Sequence, residues 1–206
     1  MDDAKFWTTL RVKLGSDTQR RRFTAEQVEG VKAILAACKG WPISWTAYAL
    51  ATAWHETAFT MQPVKERGGS AYLTRMYDVT GARPALARKY GNTTPGDGVR
   101  YCGRGYVQLT WRAGYAKAGK ALGVPLEAEP DMALLPDIAA QIMRKGMEQG
   151  WFTGMTLAKA LPRKLGTYAQ FMTARKIING TDKAATIAVY AIAFQDALFD
   201  GGWTGE

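Results

Sequence analysis

The sequence predicts a mainly α-helical fold with very little β-structure. Apolar residues recur three and four positions apart in several segments, helix-capping signals precede some of these segments, and only one short segment alternates between polar and apolar residues. Hydrophobic residues make up 47% of the 206-residue chain, which is enough for a sizeable core. At this length we expect a single domain that contains at most one small additional lobe.

Capping and spacing predict the first helices. Thr24 and Gln27 form a capping box ahead of apolar residues at helical spacing, and Cys38 continues that apolar face. A second helix is predicted over about 44–57. Its residues are small or apolar on nearly every side, so we expect it to be buried almost all round. Glu56 lies near the C-terminal end of this helix, which is an unusual position for a purely structural glutamate.

The later elements follow from the same signals. Helices are predicted over about 84–90, 112–122, 136–149, 167–178 and 182–199. Asp182 is a reasonable N-cap for the last of them. The stretch 91–98 is rich in glycine and other turn-forming residues and is predicted to be a polar loop. Alternation over 106–110 predicts one short strand with a polar face.

Charge and rare residues restrict the possible partners and cofactors. The 27 basic and 18 acidic residues give a formal net charge of +9, which favours an anionic partner such as nucleic acid, a membrane surface or a cell-wall polymer, although solubility alone would also explain it. The densest basic cluster, Arg20-Arg21-Arg22, lies in no DNA- or RNA-binding motif, so no nucleic-acid partner is predicted. One histidine and two cysteines cannot build paired-histidine or four-thiolate zinc sites, so neither a metal nor another cofactor is predicted.

The N-terminal segment has an acidic start and no continuous apolar core, so it does not resemble a secretory signal. The longest apolar run, 184–194, is shorter than the ~20 residues that a membrane-spanning helix needs, and it predicts a buried helix. A membrane-active role for this run is the weaker alternative. We therefore expect a chain that is made soluble in the cytoplasm, where Cys38 and Cys102 are reduced thiols.

Two glutamates, Glu56 and Glu66, suggest acid–base chemistry. Glycoside hydrolysis needs one protonated carboxyl that donates to the leaving oxygen and one ionised carboxylate that activates water or attacks carbon. The poorly solvated helix end favours the acid at Glu56. The flanking Lys65 and Arg67 favour the ionised base at Glu66, for which a surface ion pair is the plainer alternative.

Two other features suggest different roles. Cys102 or Cys38 with His55 could form the thiolate–imidazole pair of a cysteine peptidase or amidase, although core residues and a structural histidine explain them more simply. The segment 103–110, GRGYVQLT, combines a tight glycine turn with polar side chains that suit recognition of an N-acetyl sugar. An ordinary β-turn beside a half-exposed strand is the alternative for that segment.

Aromatic residues are numerous, with seven Trp and nine Tyr. Aromatic rings serve both cores and sugar-binding clefts. Three tryptophans are predicted to be core residues, namely Trp41, Trp45 and Trp54. Four tyrosines are candidates for contact with a substrate, namely Tyr72, Tyr77, Tyr101 and Tyr106.

Taken together, these segments resemble the family 19 glycoside hydrolases of the chitinase-like lysozyme superfamily. The matching motifs keep their order and spacing, and they are HET at 55–57, KERG at 65–68, YCGRGYVQLT at 101–110, ALGV at 121–124, EPD at 129–131 and IING at 177–180. The resemblance implies a mainly α, two-lobed lysozyme-like fold with a cleft between the lobes. The small lobe, approximately 64–110, would be inserted in the helical lobe and would carry a very small β element beside the cleft.

The resemblance also implies roles for individual residues. Glu56 looks like the general acid, Glu66 like the general base, and Thr110 occupies the position that helps to hold the attacking water. Family members invert the anomeric carbon, which requires carboxylates roughly 6.5–9.5 Å apart. The predicted substrate-binding residues are Gln108 and Asn179, at sugar-contacting amide positions, together with Arg104, Tyr106, Tyr101 and His55.

The sequence also departs from the plant members of this family. The segment between Glu56 and Glu66 is much shorter, the plant disulfide pattern is absent, and Gly114 stands where plant members carry a substrate-binding Asn. TDK at 181–183 follows the Asn-Gly turn, so the carboxylate and Arg that support the acid in plant enzymes have no assigned counterparts. Members trimmed in this way look like bacteriophage endolysins.

The sequence therefore predicts an endolysin that cleaves the β-1,4 bond between N-acetylmuramic acid and N-acetylglucosamine in peptidoglycan. We expect one catalytic domain over 1–206 without a separate wall-binding domain, acting as a monomer on the cell wall after release from the bacterial host cytoplasm. An anionic outer envelope or membrane surface is a further expected partner. The alternatives are a chitinase on the same scaffold, a Cys–His peptidoglycan amidase or peptidase, and a non-catalytic wall-binding module.

Overall fold

The computed structural model describes residues 1–18 and 22–205, so Arg20 and Arg21 of the predicted basic cluster lie outside the described residues. Within these ranges the chain forms eleven α-helices and one two-stranded sheet, which confirms the mainly α fold. The chain divides into two compact units, Met1–Gln62 with Met143–Glu206, and Pro63–Ile142. The second unit begins near the start of the small lobe predicted over 64–110 and continues to Ile142.

The first unit is helical throughout its described elements. These are α1 (Asp3–Thr18), α2 (Ala25–Ala37), α3 (Ile43–Glu56), the end of α8 (Pro136–Gln149), α9 (Leu157–Ala160), α10 (Tyr168–Ala174), a 3-10 turn (Arg175–Ile177) and α11 (Ala184–Asp200). Helices α1, α3 and α10 all pack against α11. Because α11 lies among these three helices, its apolar sequence is explained by burial in a core.

Local sequence explains where these helices begin. The Thr24 capping box is formed, since the Thr24 side chain accepts from the Gln27 backbone N–H and the Gln27 side chain accepts from that of Thr24. Every residue of α3 from Ser44 to Trp54 is buried, as the small and apolar residues on all its sides predict. The predicted N-cap at Asp182 is wrong. Lys183 occupies that position with φ +57°, and no side chain caps the helix.

The second unit combines short helices with the sheet. Its elements are β1 (Val64–Lys65), α4 (Ser70–Tyr77), α5 (Pro84–Lys89), α6 (Asp97–Arg100), β2 (Arg104–Gly105), α7 (Arg112–Leu122), a 3-10 turn (Pro130–Leu134) and the start of α8. The predicted helices over 84–90, 112–122 and 136–149 are present with nearly the same bounds. Helices α4, α6 and α9 in the two units, like α1, lie where no helix was predicted.

The sheet is antiparallel and small. Val64 pairs with Gly105, and Lys65 pairs with Arg104. The strand predicted over 106–110 is wrong, because the chain turns at that point. Gln108 adopts a left-handed φ of +52°, and Leu109 returns to form an isolated bridge with Arg104. The turn removes the alternation between two faces that a strand would impose on this segment.

In the part of the chain that the structure describes, no helix is both long enough and apolar enough to cross a membrane.

Candidate active site

Glu56, the predicted acid, lies at the last residue of α3 in the first unit. Its carboxyl oxygen Oε1 accepts a hydrogen bond of 2.6 Å from Nη1 of Arg175. The Arg175 side chain is only 3% exposed, whereas that of Glu56 is 23% exposed. The guanidinium also donates from Nε to the carbonyl of Asp182 at 2.9 Å, which fixes its orientation. The arrangement is a charge-assisted pair that holds the carboxyl in one direction while leaving part of it open to solvent.

Arg175 is a functional candidate that the sequence analysis missed. It lies within the segment predicted as a single helix over 167–178, which the structure divides into α10 and a 3-10 turn. A signal was present in the sequence, because Arg175 falls at helical spacing from Phe171 and Ile178 on an otherwise apolar face. An arginine on such a face requires an acceptor, and Glu56 supplies one.

His55 precedes Glu56 and is half-buried. Burial lowers its pKa most strongly, and Arg175 and Lys183 lower it further, while Glu56 and Asp182 act in the opposite direction. The imidazole is therefore neutral near pH 7. Its ring lies 6.5 Å from that of Tyr190.

Glu66, the predicted base, follows β1 in the second unit. Its two carboxylate oxygens have separate donors. The Tyr77 hydroxyl donates to Oε1 at 2.7 Å, and the Gly103 backbone N–H donates to Oε2 at 3.1 Å. The Glu66 backbone N–H donates in turn to the Gly103 carbonyl at 2.8 Å. Of the two adjacent basic residues, Lys65 approaches Asp131 at 3.9 Å.

The Tyr77 hydroxyl stays protonated and is therefore a hydrogen-bond donor to Glu66. Burial raises the pKa of Tyr77, and the neighbouring Glu66 carboxylate raises it further. The ring is held edge-on by Trp111, with ring centroids 5.0 Å apart, and Trp111 stacks on Tyr90 at 5.3 Å. Tyr90 is 38% exposed, so these three rings form a partly open aromatic wall beside Glu66.

The turn over 103–110 brings Gln108 and Thr110 to the same neighbourhood as Glu66. The Gln108 amide donates from Nε2 to the Val64 carbonyl at 3.1 Å, and the Thr110 hydroxyl donates to the Gln108 carbonyl at 2.8 Å. Gly103 makes this approach possible, because a Cβ there would lie 2.4 Å from Gln108 Oε1 and 3.1 Å from Glu66 Oε2. Gln108 and Thr110 are both half-buried and remain accessible in part.

Three predicted substrate-binding residues lie inside the second unit. Tyr106 is 0% exposed, Tyr101 is 2% exposed, and Arg104 is 3% exposed. Tyr101 donates its hydroxyl to the Glu127 carbonyl at 3.1 Å. The prediction that these side chains contact the substrate is therefore corrected, because all three are buried among neighbouring protein groups.

Arg104 shows this structural role most clearly. Its Nε donates to Asp131 at 2.7 Å, and its Nη1 donates to the carbonyls of Arg100 and Cys102 and to the Tyr115 hydroxyl. A buried guanidinium with four acceptors fixes the backbone on both sides of Gly103. Its contribution to the Glu66 site acts through this geometry.

Asn179 is exposed in the first unit, and its backbone N–H donates to the Arg175 carbonyl at 3.0 Å. Gly114, the other position at which plant family members carry an amide, is not required to be glycine, since a Cβ there would make only an ordinary contact of 3.5 Å with Leu109. The three tryptophans predicted to be core residues, Trp41, Trp45 and Trp54, are all buried.

The Cys–His hypothesis has little physical support. Cys38 is 1% exposed and Cys102 is 0% exposed. Burial raises the pKa of both thiols, so neither is a thiolate near neutral pH. Across residues 1–18 and 22–205, no group of three or more His, Cys, Asp or Glu side chains is arranged to hold a metal ion.

The chain is similar to known proteins of the kind that its motifs indicate. No family model matches the chain. It is 30% identical over 177 residues to one endochitinase of Arabidopsis thaliana and 29% identical over 176 residues to a second, covering 85% of this chain in each case. The chain spans about half the length of these curated relatives, 54% of each.

Solved structures share the fold of this chain. Chitinase C from Streptomyces griseus HUT6037 matches with a TM-score of 0.59 and 23% identity over 97% of this chain and 75% of that chain. A bacterial family 19 chitinase matches with a TM-score of 0.53 and 20% identity over 95% of this chain and 93% of that chain. The chain has the fold of these chitinases. In sequence and fold it is chitinase-like, as its motifs predict, and the proteins that it resembles are glycoside hydrolases.

Proposed function

We propose that the chain is a glycoside hydrolase that cuts β-1,4 bonds of bacterial peptidoglycan, with Glu56 as general acid and Glu66 as general base. The observation that carries this proposal is the contrast between the two carboxyls. Glu56 is held at a helix end by a buried guanidinium and is partly open, whereas Glu66 accepts from one hydroxyl and one backbone N–H. Two carboxyls with dedicated and different environments are what acid–base hydrolysis of a glycoside requires.

In the proposed mechanism Glu56 gives its proton to the leaving glycosidic oxygen. Glu66 takes a proton from a water molecule, which attacks the anomeric carbon from the opposite face and inverts it. Thr110 orients that water, because its hydroxyl is fixed by the Gln108 carbonyl and its oxygen can still accept a hydrogen bond. Protons are balanced, since one reaches the leaving sugar and one is held by Glu66. An inverting pair needs carboxyl groups roughly 6.5–9.5 Å apart to leave room for the water.

The first experiment tests the two carboxyls. Glu56→Gln and Glu66→Gln should each reduce kcat on purified peptidoglycan by about 100-fold or more, since general acid–base catalysis contributes about 10²–10⁴-fold. Glu29→Gln is the matched control, because Glu29 is exposed on α2 and should tolerate the change. If both catalytic variants still bound to and sedimented with the wall, the loss would be chemical. Retention of full activity by Glu56→Gln would refute the mechanism.

A cavity in the first unit supports an anionic glycan as the substrate. It has a volume of about 370 Å³ and carries two lysines with no carboxylate among its lining residues, which are Met172, Thr173, Lys176, Thr181, Lys183, Ala184 and Ala185. Lys183 follows Asp182, whose carbonyl holds Arg175, so the cavity lies beside the residues that support Glu56. Peptidoglycan carries carboxylates on its stem peptides, whereas chitin is uncharged.

The lysines give a test that separates the two substrates. The double substitution Lys176→Gln with Lys183→Gln should raise KM for peptidoglycan by about fivefold, corresponding to ~1 kcal/mol, and leave turnover of chito-oligosaccharides unchanged. Lys159→Gln is the control, since Lys159 is an exposed lysine of α9 outside the cavity. An equal effect on both substrates would argue against recognition of substrate carboxylates.

A chitinase is the second candidate, favoured by the relatives, which are named as chitinases. Mass spectrometry of digested peptidoglycan would identify the sugar at the new reducing end, and N-acetylmuramic acid at that end supports the proposed bond. Turnover of soluble chito-oligosaccharides without release of wall fragments supports the chitinase. Cleavage of a peptide bond in the same digest would instead support an amidase or peptidase.

A role in host cell lysis is part of the same proposal. The net charge of +9 would hold the enzyme on the anionic cell envelope after release from the cytoplasm, and this attraction would weaken with salt. The test is to express the chain together with a protein that permeabilises the inner membrane. The wild type should lyse whole cells, and Glu56→Gln should not.

A further inference from the structure

Three polar side chains stand one helical turn apart on α3. Tyr48, Thr52 and Glu56 are separated by four residues each, so they lie along one face of the helix and lead to its C-terminal end. Tyr48 and Thr52 are both 0% exposed, whereas Glu56 is partly open. The proposed mechanism uses only the last of the three.

The hydroxyls of Tyr48 and Thr52 are buried and make no hydrogen bond of normal geometry with any described residue, although they lie close enough to each other for Thr52 to lower the pKa of Tyr48. Most buried polar groups in folded proteins are hydrogen-bonded, so two neighbouring exceptions require an explanation. Other threonines of the same region behave differently. Thr46 donates to the Pro42 carbonyl at 3.2 Å and Thr57 to the Ala53 carbonyl at 2.7 Å, which is the usual backbone bond of a helical threonine. Thr52 does not make that bond, so its hydroxyl is available to another partner.

The charges near these hydroxyls are those of the candidate acid. Burial raises the pKa of Tyr48 most strongly, with Thr52 and Arg175 lowering it and Glu56 raising it. Tyr48 is therefore a neutral phenol that can donate a hydrogen bond. The charged or titratable groups that face Glu56 from its own helix and from the segments around it are Arg175, His55, Asp182 and Lys183, with Tyr190 against His55.

We propose that Tyr48 and Thr52 are positioning residues for Glu56, which they reach through one internal water molecule. A buried water typically needs two to four polar partners. The two hydroxyls and the second carboxyl oxygen of Glu56 provide three, while Arg175 holds the first carboxyl oxygen. Donation from the hydroxyls through the water toward this second oxygen fixes the carboxyl plane and stabilises the charge that Glu56 acquires when it gives up its proton. This inference rests on the proposed role of Glu56 as the acid.

The test removes each hydroxyl while keeping the shape of the side chain nearly unchanged. Thr52→Val and Tyr48→Phe should lower kcat about fivefold to tenfold with KM unchanged, and should move the alkaline limb of the kcat–pH profile to higher pH, because the ionised carboxyl loses a donor. Thr52→Ser, which keeps the hydroxyl, should restore both values. Thr46→Val is the matched control on the same helix and should leave the pH profile unchanged.

The opposite outcome is equally defined. If the two hydroxyls are only unpaired core groups, Thr52→Val and Tyr48→Phe will keep the wild-type pH profile and kcat while retaining or increasing thermal stability, since the unsatisfied group is removed. That result overturns the inference. Failure of the proposed function is distinguishable, because Glu56→Gln would then remain active. If Tyr48→Phe does not fold, Thr52→Val decides alone.

Discussion

Removing the Arg175 guanidinium tests the most consequential contact in the first unit. Arg175→Met keeps most of the side-chain volume but eliminates the 2.6 Å bond to Glu56 and the 2.9 Å bond to the Asp182 carbonyl. Breaking a buried ion pair costs about 3–5 kcal/mol. Glu56 is 23% exposed and can be solvated in part, so the lower end of this range applies to the pair. The lost bond to a carbonyl adds about 1 kcal/mol. The expected total is therefore about 4 kcal/mol.

Thermal unfolding measures this loss. For a chain of this size ~1 kcal/mol corresponds to about 2–4 °C in Tm, so Arg175→Met should unfold roughly 8–16 °C below the wild type. A double-mutant cycle with Glu56→Gln isolates the pair, and the coupling energy should be about 1 kcal/mol or more. Coupling within about 0.5 kcal/mol of zero would refute the reasoning, because the two residues would then act independently.

Three further predictions concern the second unit. Tyr77→Phe removes the hydroxyl that donates to the candidate base, so kcat should fall about tenfold with little change in Tm; unchanged kcat would count against this donor. Burial alone would raise the pKa of Asp78, but hydrogen bonds from loop backbone N–H groups and a threonine hydroxyl outweigh it and hold the pKa low. The ionised Asp78 carboxylate therefore stabilises the fold at pH values above its pKa in the unfolded chain, about 3.9, and this stabilisation is lost as the pH falls through its lower pKa in the folded chain. Asp78→Asn removes the titrating group, so the Tm of this variant should depend less on pH at the acid end of a Tm–pH curve. Gly103→Ala should displace the Gln108 side chain and reduce activity while Tm changes little, whereas Gly114→Ala should be tolerated in both assays.

Helix α3 was predictable because every physical signal in it agrees. Small and apolar residues on all sides predict burial, and the residues from Ser44 to Trp54 are buried. Helix α1 also had a signal, since Phe6, Leu10 and Leu14 recur every four residues and are at most 3% exposed. Its low overall hydrophobicity obscured that pattern. In α4 only Leu73 is buried, so no periodicity existed to detect.

The strand over 106–110 was predicted wrongly for a different reason. Alternation over five residues is compatible with a strand, but left-handed backbone at Gly105 (φ +94°) and then at Gln108 (φ +52°) converts the segment into a turn. No local pattern marked that position, because glutamine is not a residue that favours positive φ. The conformation is imposed by contacts from elsewhere, including the Val64 carbonyl, which accepts from the Gln108 amide. The same turn buries Tyr106 and leaves Gln108 and Thr110 partly accessible.

The candidate acid and base could both be named from the sequence, but the groups that govern them could not. Glu56 depends on Arg175, which lies 119 positions away, and Glu66 depends on Tyr77 and Gly103, which lie 11 and 37 positions away. The chemistry of a carboxyl is decided by the donors and charges that surround it. Lys65, which is adjacent to Glu66 in sequence, approaches Asp131 in the structure. A short motif can thus locate a catalytic carboxyl, whereas its assignment as acid or base depends on partners that only folding brings to it.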